Sequence, residues 1–115
     1  MSFTIQSKPS GNVDVVRISG RLVLGYGTAG LRASIAESVQ RKAHVLADLS
    51  GVTYVDSAGL GELVASLDAV KARGRAMKLL RPADRVDSLL HITKLYSTFE
   101  VFENEGAALA SFANM

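Results

Sequence analysis

The sequence predicts an α/β fold, in which a mixed and mostly parallel sheet of about five strands carries about four helices and opens with an antiparallel hairpin. Three observations lead there. Pro9-Ser10-Gly11-Asn12 separates two strand-like runs, Phe3–Gln6 and Val13–Ile18, with strong turn chemistry. From Gly20 onward strand and helix patterns alternate, which requires βαβ crossovers and parallel pairing. In the middle, His44-Val45-Leu46-Ala47-Asp48-Leu49 is an apolar run stopped by Ser50-Gly51, as expected of a strand buried on both faces.

The remaining elements follow in order. Ser19-Gly20 punctuates the second strand, and Arg21–Leu24 is a short extension ending at Gly25. A helix is expected from near Thr28, with Leu31, Ile35 and Val39 on one line and Arg32, Glu37, Gln40 and Arg41 outward. After the central strand, Val52–Val55 carries the chain over the sheet edge to a helix at Asp56-Ser57. Its apolar positions are Leu60, Leu63, Val64, Leu67 and Val70, a single stripe, and Arg73-Gly74 closes it. Ala76–Leu80 reads as a strand. Pro82 is expected to open a helix carrying Val86, Leu89, Leu90 and Ile92. Thr98–Phe102 reads as a last strand, with Asn104 capping a short helix through Leu109 and Phe112. There is no repeat, low-complexity segment or linker, so one domain is expected over residues 1–115.

The junction between the central strand and its helix holds the most chemistry. Ser57 stands at the helix entrance beside Asp56, followed by Ala58-Gly59, which has almost no side chain to hide it. Gly59 and Gly61 admit close approach of another surface, at a helix-propensity cost of about 1 kcal/mol each. Two readings compete. Ser and Asp are the common N-caps of helices, and an exposed serine at such a place is also a modification site.

Asp48-Leu49-Ser50, followed by Val55-Asp56-Ser57-Ala58-Gly59-Leu60-Gly61, resembles the signature of the STAS domain family, in particular its single-domain anti-sigma factor antagonists. The resemblance extends through Lys78–Pro82, Val86–Thr93 and Phe99–Phe102, and so over nearly the whole chain. It implies a cytoplasmic binding switch that is not an enzyme and uses no cofactor. Unphosphorylated protein would sequester an anti-sigma factor with serine kinase activity through Asp56, Ser57, Ala58, Gly59, Leu60, Gly61 and Glu62, releasing a sigma factor. Phosphorylation of Ser57 would end the contact, and a serine phosphatase would restore it. One position departs from the family pattern: where it often reads Gly-x-Leu-Asp, this chain has Gly20-Arg21-Leu22-Val23. The resemblance therefore also implies an alternative, a constitutive STAS subunit of a stress-sensing or lipid-transport ATPase complex.

Other function classes are weaker. Gly25-Tyr26-Gly27-Thr28-Ala29-Gly30 fits the dinucleotide-binding pattern G-x-G-x-x-G, and Asp48 stands near the offset of a ribose-binding acid. Two strands precede the motif, however, and Asp48 reads as lying within a strand, so a glycine-rich entry to a tightly packed helix is the simpler account. Neither a Ser-His arrangement nor a G-x-S-x-G elbow accompanies Ser57. His44 and His91 read as packed or surface histidines, and no ligand spacing suggests a metal. Tyr26, Tyr54 and Tyr96 are expected to supply core and a contact or two. The chain has no Cys, which excludes disulfides and thiolate chemistry. Its 13 Lys and Arg against 11 Asp and Glu are scattered, so no nucleic-acid surface is expected. No apolar run reaches the length of a membrane span, and the first residues lack a signal peptide's pattern.

Overall fold

A computed structural model describes residues 3–113 and 115. Five strands form one sheet in the order β1-β2-β3-β4-β5: β1 (Phe3–Ser10), β2 (Val13–Leu22), β3 (His44–Val55), β4 (Met77–Leu80) and β5 (Val101–Phe102). The β1–β2 pair is antiparallel and every other pair is parallel, as the sequence predicts. The helices are α1 (Tyr26–Gln40), α2 (Ser57–Ala72), α3 (Asp84–Ile92) and α4 (Glu105–Ala110). Each parallel strand is added on the same side of its predecessor, so the right-handed crossover rule sends α1, α2 and α3 to one face.

Side-chain alternation along the strands then creates two cores. Val16, Ile18, Val45, Ala47, Leu49 and Leu79 meet Leu31 and Ile35 of α1, Leu63 and Leu67 of α2, and Val86 and Leu90 of α3. On the other face, Val13, Leu46 and Leu80 meet Ala108 and Phe112. That second face also carries a charged cluster. Buried Asp48 accepts from Arg17 at 2.7 Å and from Arg81 at 3.4 Å, and Glu105 at the start of α4 binds Arg17 through both of its oxygens at 3.1 Å.

Several boundaries differ from expectation. The hairpin turn is only Gly11-Asn12. Gly11 takes the positive φ of 61°, and Pro9 pairs within β1, where an edge strand tolerates its missing N–H. Ser19-Gly20 and Ser50-Gly51 do not end their strands. Ser19 pairs with Gly51 and Gly20 with Val52 between two register shifts, and a Cβ on Gly51 would lie 2.4 Å from Ser19 Oγ. β3 therefore runs on to Val55, and Val52–Val55 is strand. α1 begins at Tyr26 because the Thr28 hydroxyl accepts the Gly25 N–H. Pro82 precedes α3 instead of opening it. Ala83 is the cap, and Asp84 and Asp87 supply the acidic first turn that suits the helix dipole. Ile92 is exposed and lies off the packed stripe. The last strand shrinks to Val101–Phe102 because a 3-10 turn at Leu95–Ser97 precedes it and the Phe99 N–H turns back to the Leu95 carbonyl. Asn104 caps α4 as expected, accepting the Ala107 N–H at 2.8 Å.

Burial works against the Asp48 charge, but hydrogen bonds from Ser50 and Arg17 outweigh it and hold its carboxyl below the usual value. A carboxyl depressed on folding stabilises above its unfolded pKa of about 3.9 and loses that contribution as pH falls through the folded value. Asp48→Ala leaves two arginines short of an acceptor and is expected to cost about 1–3 kcal/mol, read from the urea midpoint at pH 7. Below pH about 4 the wild-type protein should lose stability more steeply than Asp48→Asn. Parallel acid curves for the two proteins would remove Asp48 from this role.

Candidate functional site

The C-terminal ends of β2 and β3 and the first turns of α1 and α2 meet at one end of the sheet. Leu22 is paired with Val55 there, and the next residues must diverge into two loops. Asp56 joins those loops. Its Oδ1 accepts the Gly59 N–H at 2.7 Å, capping α2, while its Oδ2 accepts the Leu24 N–H at 3.1 Å across the sheet end. Its own N–H donates to the Leu22 carbonyl at 3.3 Å. The bonds from Gly59 and then Leu24 lower the carboxyl pKa, keeping the clamp charged. The cap is thus Asp56, and the reading of Ser57 as the cap does not hold: Ser57 is the first residue of the helix proper.

This leaves the Ser57 hydroxyl free. The side chain is exposed and makes no hydrogen bond among the described residues. Gly59 does not face outward. It is buried, and a Cβ there would lie 2.0 Å from the Leu22 carbonyl oxygen, so the surface that its missing side chain admits is β2 of the same chain. Gly61 differs, being exposed, and a Cβ placed on it would meet nothing within 4 Å. Ala58 and Leu60 are half-buried. Glu62 is engaged with Arg32 of α1 at 2.7 Å, tying the two helices together behind the site.

Two residues stand out here that sequence reasoning did not place in the site. Leu24, on the loop that Asp56 clamps, is 76% exposed, and Tyr26, the first residue of α1, is 78% exposed and lies toward Phe3, Thr4 and Ile5 of β1. Tyr26 is therefore not core. Its position in a glycine-rich run at a helix entrance was the available signal. On the far side of β2, the Arg21 guanidinium lies 4.8 Å from the Tyr54 ring centroid.

The glycine pattern 25–30 serves packing. Gly25 takes φ 113° at the helix entrance. A Cβ on Gly27 would meet the Arg21 carbonyl at 3.0 Å, and one on Gly30 would meet the Phe3 ring at 2.8 Å. Asp48 faces α4, across the sheet from α1. The strand order also never reverses, so the crevice in which dinucleotides bind is not formed. Among the described residues no three His, Cys, Asp or Glu converge at metal-binding distance, and no helix is long and apolar enough to cross a membrane.

Comparison with known proteins agrees with this architecture. The family model of the STAS domain matches residues 4–108. The anti-sigma F factor antagonist of Paenibacillus polymyxa is 27% identical over 112 residues, 95% of this chain and 94% of that protein. The anti-sigma-B factor antagonist of Bacillus subtilis (strain 168) is 29% identical over 101 residues, 88% of this chain and 92% of that protein. A solved anti-sigma factor antagonist from Mycobacterium paratuberculosis superposes with a TM-score of 0.82 at 26% identity, covering 97% of this chain and 95% of that one.

The two glycines of the first α2 turns should respond with opposite signs. Gly59→Ala drives a methyl into backbone and is expected to cost about 1–3 kcal/mol or more. Gly61→Ala meets nothing and should gain up to about 1 kcal/mol from helix propensity. Urea unfolding of both variants checks this, and a Gly59→Ala protein as stable as wild type would show that α2 does not rest on Leu22.

Proposed function

The chain belongs to the STAS domain family, and on that premise we propose that it is an anti-sigma factor antagonist, a phosphorylation-switched binding module and not an enzyme. The observation that carries this reading is the free Ser57 hydroxyl, exposed at the first residue of α2 because Asp56 has taken the capping role. The names of the relatives in Paenibacillus polymyxa and Bacillus subtilis support it.

In this reading the unphosphorylated protein binds an anti-sigma factor in the cytoplasm and thereby frees a sigma factor. The anti-sigma factor is also a serine kinase. It transfers the γ-phosphoryl group of ATP to Ser57 Oγ and leaves ADP, and a serine phosphatase hydrolyses the ester to reset the cycle. The partner-facing atoms belong to Ser57, Ala58, Leu60 and Gly61, with Leu24, pinned by Asp56, beside them. Asp56, Gly59 and Glu62 act from behind, as the residues that hold this surface in place.

The energetics favour a switch that leaves the fold alone. Phosphorylation adds about −1.5 to −2 charges at an exposed position. The α2 N-terminus favours that charge by about 0.3–1 kcal/mol, and the Asp56 carboxylate opposes it. A partner seated over Ser57 would have to bury an uncompensated dianion, at roughly 3–5 kcal/mol. That corresponds to about two to three and a half decades of affinity.

One observation favours a second reading. Val23 stands where the family often has an acid, and its carbonyl accepts the Thr28 N–H as part of the α1 entrance. With no carboxylate there to meet a kinase, the domain would serve as a constitutive subunit of a stress-sensing or lipid-transport ATPase complex. Capture from lysate with wild-type, Ser57→Ala and Ser57→Asp baits separates the two. The switch predicts that a kinase-like anti-sigma factor is retained by the first two baits and lost by at least about 100-fold in affinity with Ser57→Asp. Equal capture of one complex by all three would make the protein a fixed subunit.

A further inference from the structure

We propose that His44 is an acid-operated latch for the C-terminal helix: the neutral ring is the surface on which Phe112, and with it α4, docks, and the protonated ring expels them. The latch lies at the opposite end of β3 from Ser57 and is independent of the switch there.

The geometry fixes the protonation state. His44 is 2% exposed. Its Nδ1 accepts the Ala76 N–H at 3.0 Å, so Nδ1 carries no hydrogen and the neutral ring is protonated at Nε2. Nε2 is itself buried and has no partner among the described residues. The ring lies 5.4 Å from the Phe112 ring, centroid to centroid, at a tilt of 37°. A second proton has only Nδ1 to go to, where it would confront the Ala76 N–H. Binding it must break that bond and leave a cation buried beneath Phe112.

Among the described residues the charged surroundings offer no compensation. Arg75 and Lys78 both press on the imidazole with positive charge. The Lys78 ammonium is held by the Ser111 hydroxyl at 2.8 Å and the Ser111 carbonyl at 3.2 Å, and lies 4.5 Å from the Phe112 ring. Arg75 Nε donates to the Lys42 carbonyl at 2.8 Å. The carboxylate on this side, Glu100, is engaged with Lys78 at 3.6 Å. On β2, Val13 faces His44 directly. The neighbouring Asp14 carboxylate lies on the opposite face, where it accepts from Ser38 and Arg41. At the far end of α4, Glu105 is bound by Arg17 and Arg81. Burial first, then Arg75 and Lys78, hold the imidazole below its ordinary value.

The element that would move is lightly held. α4 has six residues, too few to persist without docking. Its C-terminal attachments are the Lys78–Ser111 bonds and Phe112, and its release would uncover Val13, Leu46 and Leu80. The share of the imidazole's lowered pKa that comes from burial under Phe112 is lost on release, so the docked state is favoured most where the released ring is neutral. Below the released ring's titration, the released fraction rises by up to about tenfold per pH unit until the docked value is passed.

The test is amide exchange and imidazole 15N shifts by NMR from about pH 7.5 to about 4.5, on wild type and on His44→Phe and His44→Gln. Neutral wild type should show the Nε2-protonated tautomer. Protection factors of the amides of Ala108–Phe112 should fall by up to about tenfold per pH unit once the pH drops below the released ring's titration, while those of α2 hold. Either variant that folds should keep α4 protected to lower pH than wild type. The proposal is overturned if His44 titrates without loss of α4 protection, or if α4 is lost equally in wild type and variant, which would assign the acid response to the carboxylates.

Discussion

The functional end of this molecule depends on how closely the first turn of α2 approaches β2. Gly59 is seated on the Leu22 carbonyl, at a distance that no residue with a Cβ could reach. Once the backbones are that close, a single carboxylate can serve both of them, and Asp56 does so by accepting from Gly59 and Leu24. The clamp decides what Ser57 is. With Asp56 pointed inward as the cap, the next side chain is turned outward with no structural work to do. The exposure of Leu24 has the same origin, since its backbone is pinned by Asp56.

Much of the fold was legible because the responsible signals are local. The continuous apolar run 44–49 identified the central strand, and the stripe Leu60, Leu63, Val64, Leu67 and Val70 identified the face of α2 that packs inward. Strand–helix alternation gave the parallel sheet. Boundaries failed where small residues play a tertiary part. Gly51 and Ser19 read as strand ends, but they are matched to each other across β2 and β3, a relation between distant positions that no local pattern contains. Pro82 similarly read as a helix start and proved to lie outside the helix.

The site was legible in its residue types but not in their roles. Asp56 and Ser57 are both good caps, and only the position of Leu24 across the sheet end selects Asp56, because the carboxylate can accept from both loops. Glycines 59 and 61 looked equivalent in sequence. One is filled by the chain itself and the other is open to solvent. The same blindness to distant partners hid the cluster in which Arg17, Asp48, Arg81 and Glu105 join β2, β3, the residue after β4, and α4. Asp48 was read as a strand residue, correctly, but its charge is tolerated in the sheet only because Arg17 and Arg81 reach it from elements on either side.

The two faces of the sheet hold their helices with different chemistry. α1, α2 and α3 are fixed chiefly by a continuous apolar core, which is non-directional. Carboxylates add to it at its margins: Asp14 with Ser38 and Arg41, Glu62 with Arg32, and Asp56 at the α2 entrance. α4 covers a smaller apolar cluster and is secured by charged and polar contacts: Glu105 to Arg17 and Arg81, Ser111 to Lys78, and Phe112 on an imidazole. Such contacts depend on the ionisation state of their members, so the packing of the α4 face is the more open to solution conditions. Ser57 stands on an element belonging to the apolar face, and charge added there changes what can dock on the protein while the core beneath it stays as it was. A binding surface that must carry a charged and an uncharged form on one scaffold is best mounted on a largely apolar core, and α2 meets that requirement through Leu63, Leu67 and Val70.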